Sequence, residues 1–495
     1  MANATESTLT PVAPVEAPVN GWQLVYAGGL HDPVDGGQLE ARSPIDGSLI
    51  GTIPNANAED VDRAVRSATE AADDWAKTTP RERVAALEAL SERIVAASER
   101  LAWLDTIDAG MPIASTRAEL RGSASYLATW AYLAAEIKGN TFADAHGLWG
   151  FTRREPYGVV ASILAFNHPG MFFLSAIGPA LAAGNSIIIK PSEWTSLSAL
   201  AIGEIAQEVL PPGLLNVVTG DGVSAGHAIS EHPGIPRISF TGSIRSGRAV
   251  LNAAAASIKH VTLELGGKNP LVILPDAEVQ MAVKMAVAGM NLRGVGGQSC
   301  QSCSRVLIHD SLYEEFIGQL IKEVESIRLG DPREEATEMG CMAYREHFER
   351  VVGYIELGVS EGAQLMTGGH TPAGLGQGCF LEPTVFVHVN RSMRIANEEI
   401  FGPVISVMTW SDRAEMLDIA NSVEYGLTAR IACGSLGEGL DLATKLQAGK
   451  IWVNAANGGP DRMPFGGYKH SGLGKQGDFE SLVGFTQEKA VTVRY

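Results

Sequence analysis

The sequence predicts an α/β fold built on parallel sheets, and three observations carry that reading. Short β-branched runs at residues 159–164, 186–189, 214–218, 237–240 and 260–263 are each followed by a helix-forming stretch. That alternation belongs to a parallel sheet covered on both faces, with ligand sites outside the carboxyl ends of its strands. The same texture returns at 270–274, 305–309, 403–408, 427–432 and 450–453, which places one α/β domain before Leu265 and another after it. Size agrees: 495 residues, 45% hydrophobic and 19% charged, are long enough for about three domains with full cores.

Taken in chain order, residues 1–19 are rich in Ala, Thr, Pro and Val, lack Lys and Arg, and predict a disordered tail. Three helical segments are expected next. The clearest follows Pro80 and carries Val84, Leu87, Leu90, Ile94, Ala97 and Leu101 as one apolar stripe. Residues 139–158 lose helical periodicity and end in Arg153-Arg154-Glu155-Pro156, an extended excursion between domains. Residues 158–189 contain no Asp, Glu, Lys or Arg. Asn167-His168-Pro169-Gly170 nevertheless splits them into a strand and a short helix interrupted by Gly178-Pro179, each well under the roughly 20 residues of a membrane span. At the C-terminus Val491, Val493 and Tyr495 alternate with polar residues. This strand and the 139–158 excursion have no evident partner in their own domains, so an oligomer interface is expected to pair them.

A net charge of −18 repels phosphate backbones and anionic lipid, so nucleic acid and membrane are not expected as partners. Five scattered cysteines (Cys300, Cys303, Cys341, Cys379, Cys433) make no disulfide framework and fit a reducing, cytoplasmic setting.

Chemistry is expected at the strand ends. Asn167 follows the first strand and can offer its amide to an oxyanion, although a turn-forming Asn would also sit there. Lys190-Pro191-Ser192-Glu193 follows the second: a lysine for ribose hydroxyls or phosphate, and a carboxylate that accepts from a 2′-hydroxyl and repels a 2′-phosphate. That favours NAD, with NADP the weaker alternative. Phe240-Thr241-Gly242-Ser243 opens a helix whose free N–H groups can meet a pyrophosphate, but it is not the six-residue dinucleotide fingerprint. Glu264 ends the fifth strand, thirty-six residues before Cys300 in Gly297-Gln298-Ser299-Cys300. A thiol at a strand entrance, faced by backbone amides, is expected to favour the thiolate and act as a nucleophile; a packed structural cysteine is the other reading.

These motifs, with Leu263-Glu264-Leu265-Gly266-Gly267-Lys268, Glu398-Glu399-Ile400-Phe401-Gly402-Pro403 and Pro464-Phe465-Gly466-Gly467-Tyr468-Lys469-His470-Ser471-Gly472, occur in the order seen in the aldehyde dehydrogenase superfamily. The chain resembles that superfamily from about residue 20 to its end. The resemblance implies a Rossmann-like cofactor domain (20–138 and 158–264), an α/β catalytic domain (265–482) and a small β oligomerisation region (139–157 and 483–495), in a homodimer or homotetramer. It implies NAD-dependent oxidation of a small-molecule aldehyde. Cys300 would attack, Asn167 and the Cys300 N–H would hold the alkoxide, and Glu264 would activate the water that hydrolyses the thioester. Gly242 and Ser243 would lie under the pyrophosphate, Glu399 would hold the nicotinamide ribose and Phe401 would pack near the ring. Phe166, Lys190, Ser192, Glu193 and Leu265 complete the implied cofactor set. Outside the resemblance, Glu399 also reads as a helix-end carboxylate and Phe401 as core packing.

The chain departs from its relatives in three places. The usual Trp before the catalytic Asn is Phe166. A lysine and a glutamate thought to relay protons from the general base are Ala176 and Gln476, so Glu264 is expected to exchange its proton with tunnel water. Cys300 and Cys303 form a Cys-x-x-Cys without the further ligands that zinc needs; no metal is expected, and a reversible disulfide is the remaining alternative. The small residues of 455–459, onward to Met463, facing Met171, Phe172 and Phe173, predict a fairly large apolar or aromatic aldehyde. Two rivals stand beside this reading: a coenzyme-A-acylating enzyme, whose relatives usually lack the glutamate, and a non-catalytic protein keeping the scaffold.

Overall fold

A computed structural model describes residues 21–495, and the expected tail at 1–19 lies outside the described residues. The five strands expected in the first half form the parallel centre of an eight-stranded sheet. They are Val159–Ile163, Ser186–Lys190, Leu215–Val217, Arg237–Thr241 and His260–Glu264. Every residue of the first three is buried, which is why they read as continuous apolar runs. The chain starts at Val159–Ile163, builds two strands to one side, then returns to add Arg237–Thr241 on the other. Strand order therefore reverses between Val159–Ile163 and Arg237–Thr241, and the carboxyl ends of that pair open a crevice.

Both edges of this sheet differ from expectation. Leu24–Tyr26 and Gly29–His31 extend one edge antiparallel, ahead of the helices that were expected to come first. On the other edge Gly472–Leu473 pairs antiparallel with His260–Glu264, so a late segment of the chain reaches across to the strand carrying Glu264. Five helices, not three, follow the first strands. The predicted stripe is divided between two of them: Leu87, Leu90 and Ile94 lie on Pro80–Ala96, while Leu101 belongs to Ser98–Ala109. The helix Pro169–Ala182 runs through Pro179 without interruption. Gly178 is needed there because any Cβ would enter the ring of Trp130.

A seven-stranded sheet forms the second half. Its order is Gln364–Thr367, Thr384–Val387, Val404–Trp410, Arg305–His309, Pro270–Ile273, Thr428–Ala432 and Lys450–Val453, parallel except at its first pair. Arg305 is 1% exposed at the head of the central strand and donates to Lys268 O (2.8 Å), Ile419 O (3.0 Å) and Ala420 O (2.9 Å). These bonds satisfy a buried charge and tie the strand to the helix Arg413–Asn421. The two orphan strands find each other within the chain: Thr486–Arg494 pairs antiparallel with Leu148–Pro156, from Thr486 opposite Pro156 to Arg494 opposite Leu148. Thr141–Ala145 completes this three-stranded ribbon.

Candidate active site

The crevice at the strand reversal is a cavity of about 1010 Å³, and each residue singled out from the sequence as catalytic or cofactor-binding lines it. Asn167 stands between the strand Val159–Ile163 and the helix Pro169–Ala182; its Nδ2 donates to Gln298 O at 2.8 Å, which fixes the amide beside the Cys300 loop. That loop is shaped by Gly294, Gly296 and Gly297, with φ of 94°, 58° and 73°. Gly297 packs against the Gly402 carbonyl with no room for a Cβ.

Asn269, which the sequence did not single out, latches the loop from the other side. Its Nδ2 donates to Cys300 O (2.8 Å) and Ser302 O (2.9 Å), and its Oδ1 accepts from Thr428 N (2.9 Å). Cys300 faces the cavity. Cys303 turns into the core, with its Sγ toward the Ala286 carbonyl at 3.6 Å; both cysteines are free. Among the described residues no cluster of His, Cys, Asp and Glu could hold a metal ion.

The electrostatics correct one expectation. Burial pushes the Cys300 thiol up to about 12, and the Glu264 and Glu399 carboxylates add to the shift. Backbone amides alone do not offset that burial, so the resting group is the thiol and not the thiolate. Glu264 is 4% exposed, neither carboxyl oxygen has a hydrogen-bond partner, and burial raises it to about 8 against the opposing charge of Lys475.

The opposite wall is aromatic. Phe166 meets Phe401 edge-on at 5.6 Å and Tyr344 at 5.2 Å, and Tyr344 stacks on Trp194 at 4.3 Å. Phe401 has φ of 59°, a left-handed conformation held by its surroundings: His347 Nε2 donates to its carbonyl at 2.8 Å, and Arg350 donates to Ile400 O at 2.7 Å and Glu399 O at 3.2 Å. Burial, with Arg350 beside it, drops His347 to about 3, so its ring is neutral. Tyr344, His347 and Arg350 escaped sequence reading because they sit at the start of the helix Arg345–Ser360, away from any strand end. Glu399 accepts from Gly267 N at 2.8 Å and is raised by burial to about 7; Gly266 is glycine because a Cβ there would strike the Glu399 carboxylate.

Groups suited to a dinucleotide line the rest of the cavity. Ser243 caps the helix Ile244–Ala255, whose N-terminus faces it, and Leu265 packs on Gly247 of the same helix. Lys190 is buried, donates to Pro191 O at 2.9 Å and stands 3.5 Å from the Glu193 carboxylate. The substrate side differs from expectation: Phe172 lines the cavity, but Phe173 is 0% exposed in the core, since consecutive helical residues cannot share a face. The segment 455–463 does not line this cavity, and Asn457 ties it to Ala288 O at 2.7 Å.

Residues 32–491 match the family model described as the aldehyde dehydrogenase family. The whole fold superposes on solved members. PnpE in complex with nicotinamide adenine dinucleotide is 37% identical, with a TM-score of 0.93 and coverage of 95% of this chain and 97% of that one. The betaine aldehyde dehydrogenase of Staphylococcus aureus in complex with NAD+ is 31% identical, at a TM-score of 0.92 and coverage of 96% and 95%. The indole-3-acetaldehyde dehydrogenase AldA of P. syringae is 33% identical, at a TM-score of 0.92 and coverage of 96% and 97%. With a family match over residues 32–491, nearly its full length, the chain belongs to the aldehyde dehydrogenase family.

Proposed function

We propose that this chain oxidises an aldehyde to a carboxylic acid with NAD through a cysteine-bound thioester. One observation carries the reading: Cys300, Asn167 and Glu264 face one cavity at the strand reversal of the sheet. The Cys300 sulfur bonds to the aldehyde carbon, and the oxygen that becomes an alkoxide is held by the Asn167 amide and the Cys300 N–H. The thiol proton passes to solvent water as the carbon–sulfur bond forms, which leaves Glu264 free to act in the later hydrolysis. Bound in the cavity, oxidised nicotinamide supplies the hydride acceptor and a positive charge. Phe166, Leu265, Glu399 and Phe401 would hold its nicotinamide end, with Gly242, Ser243, Lys190, Ser192 and Glu193 toward the rest. Glu193 favours a free 2′-hydroxyl over a phosphate. Glu264 then takes a proton from water as the water oxygen bonds to the thioester carbon and the carbon–sulfur bond breaks.

The proposed substrate is a fairly large apolar or aromatic aldehyde, a reading supported by Phe172 on the cavity wall. Residues 20–138 with 158–264 are assigned to the cofactor, 265–482 to catalysis, and 139–157 with 483–495 to a homodimer or homotetramer. The free cysteines favour the cytoplasm. The test is NADH formation with a panel of aldehydes, run with NAD and NADP and with and without coenzyme A. Cys300→Ala should abolish turnover while still binding NAD. Activity surviving in Cys300→Ala would overturn the mechanism, and preference for acetaldehyde or succinic semialdehyde over benzaldehyde would reject the substrate class.

A further inference from the structure

Glu264 ends its strand with Thr241 and Gly472 as register partners on either side, neither of them charged. Behind the carboxyl lies Gly466, at φ of 153°, where a Cβ would stand 2.6 Å from Glu264 Oε1 and 3.0 Å from Lys475 Cδ. One Cα thus separates the acid from the lysine stem. The Lys475 ammonium donates to the Gly466 carbonyl and lies 5.3 Å from the Tyr468 ring centroid. Glu264 and Lys475 make no ion pair within 4.0 Å, so the carboxyl is influenced without being locked. Glu264 in turn bears on the Cys300 thiol, which lines the same cavity. The positions from which relatives relay the proton hold Ala176 and Gln476, which carry none.

We propose that Lys475 is a positioning residue for the general base: its ammonium, anchored on the Gly466 carbonyl, favours the charged form of Glu264, which takes the proton from the hydrolytic water. The proposal rests on the reading of Glu264 as that base. Lys475 gains and loses no proton in the step; its charge acts against the burial that otherwise keeps the acid neutral. Gly466 is part of the device, because only a residue without a side chain lets acid and lysine approach through one Cα.

The sign follows directly. Removing the charge raises the pH at which Glu264 ionises, so deacylation slows near neutrality and recovers in alkali. The experiment compares Lys475→Gln, Lys475→Arg and Glu264→Gln in the full chain, separating the first NADH burst from steady turnover across pH. Lys475→Gln keeps a donor for the Gly466 carbonyl. It should show a normal burst, steady turnover about tenfold lower at pH 7, and a limb displaced upward by about one pH unit. Lys475→Arg should retain the wild-type limb. An unmoved limb in Lys475→Gln, or equal displacement in Lys475→Arg, overturns the proposal. If Glu264→Gln keeps the wild-type limb, the base assignment itself fails, whatever Lys475 does. Infrared titration of the Glu264 carboxyl, assigned with Glu264→Gln, reads the same displacement without turnover; an unshifted band in Lys475→Gln also overturns it.

Discussion

A cysteine pushed up to about 12 by burial and two carboxylates is protected when no substrate is present. Its reactivity therefore depends on the charge state of Glu264, a neighbour that itself ionises at about 8. Below that pH Glu264 is neutral and bears little on the thiol; above it, the carboxylate holds the thiol proton more tightly. Alkylation of Cys300 by iodoacetamide in the cofactor-free enzyme should thus be nearly equal in wild type and Glu264→Gln at pH 6. At pH 9 it should be about three- to tenfold faster in the variant. Equal rates at both values would show that the two groups do not sense each other. That Cys300, Glu264 and Asn167 share one cavity was legible because the strands of a parallel sheet deliver their carboxyl ends to one crevice. The ionisation of Cys300 and Glu264 was not, because burial sets it first, and Glu399 and Lys475 adjust it through approaches that depend on Gly266 and Gly466 lacking side chains. The Asn269 latch was illegible for a related reason: its three bonds join residues 31, 33 and 159 positions away.

At the scale of elements, buried acids hold helix N-termini around the site. Asp105 accepts from Gly170 N at 3.2 Å at the head of the helix carrying Phe172, and Asp108 accepts from Leu197 N at 3.1 Å at the head of Leu197–Gln207. Burial raises Asp105 to about 7 and Asp108 to about 8. For a carboxyl raised on folding, the stabilising contribution is complete below the unfolded value and is lost as pH rises through the folded one. Asp108→Asn keeps an oxygen for the Leu197 N–H and cannot ionise. Measured by chemical denaturation, its stability relative to wild type should improve by about 2 to 3 kcal/mol between pH 6 and pH 9, since the folded carboxyl ionises about two units above pH 6 and each unit is worth about 1.4 kcal/mol. A difference that is flat with pH would mean that Asp108 is charged throughout. Elements themselves were legible where burial is complete, as in Ser186–Lys190. Leu24–Tyr26 and Gly29–His31 were missed because three-residue strands carry no periodicity. The stripe from Leu87 to Leu101 read as one helix because the turn at Ala97 preserves its spacing.

At the scale of the whole molecule, the ribbon of Thr141–Ala145, Leu148–Pro156 and Thr486–Arg494 stands apart from both large sheets and satisfies its inner hydrogen bonds within the chain. Its two outer strands still present unpaired edges among the described residues, and it exposes Phe142 (55%), Trp149 (39%) and Tyr495 (76%). Trp149 and Phe151 lie against each other, with ring centroids 5.1 Å apart. The proposed homodimer or homotetramer would cover this apolar ribbon and its open edges with the matching ribbon of a second copy. Trp149→Asp places a charge in the middle of that patch while leaving the backbone pairing of Val493 opposite Trp149 intact. The expected outcome by light scattering is a fall from oligomer to smaller assembly or monomer, with the Cys300 burst preserved, because none of the ribbon lines the catalytic cavity. An unchanged mass in Trp149→Asp would mean that copies of the chain meet elsewhere, and that the open strand edges are guarded by the charges flanking them, Lys489 with Glu155 and Arg154 with Glu488.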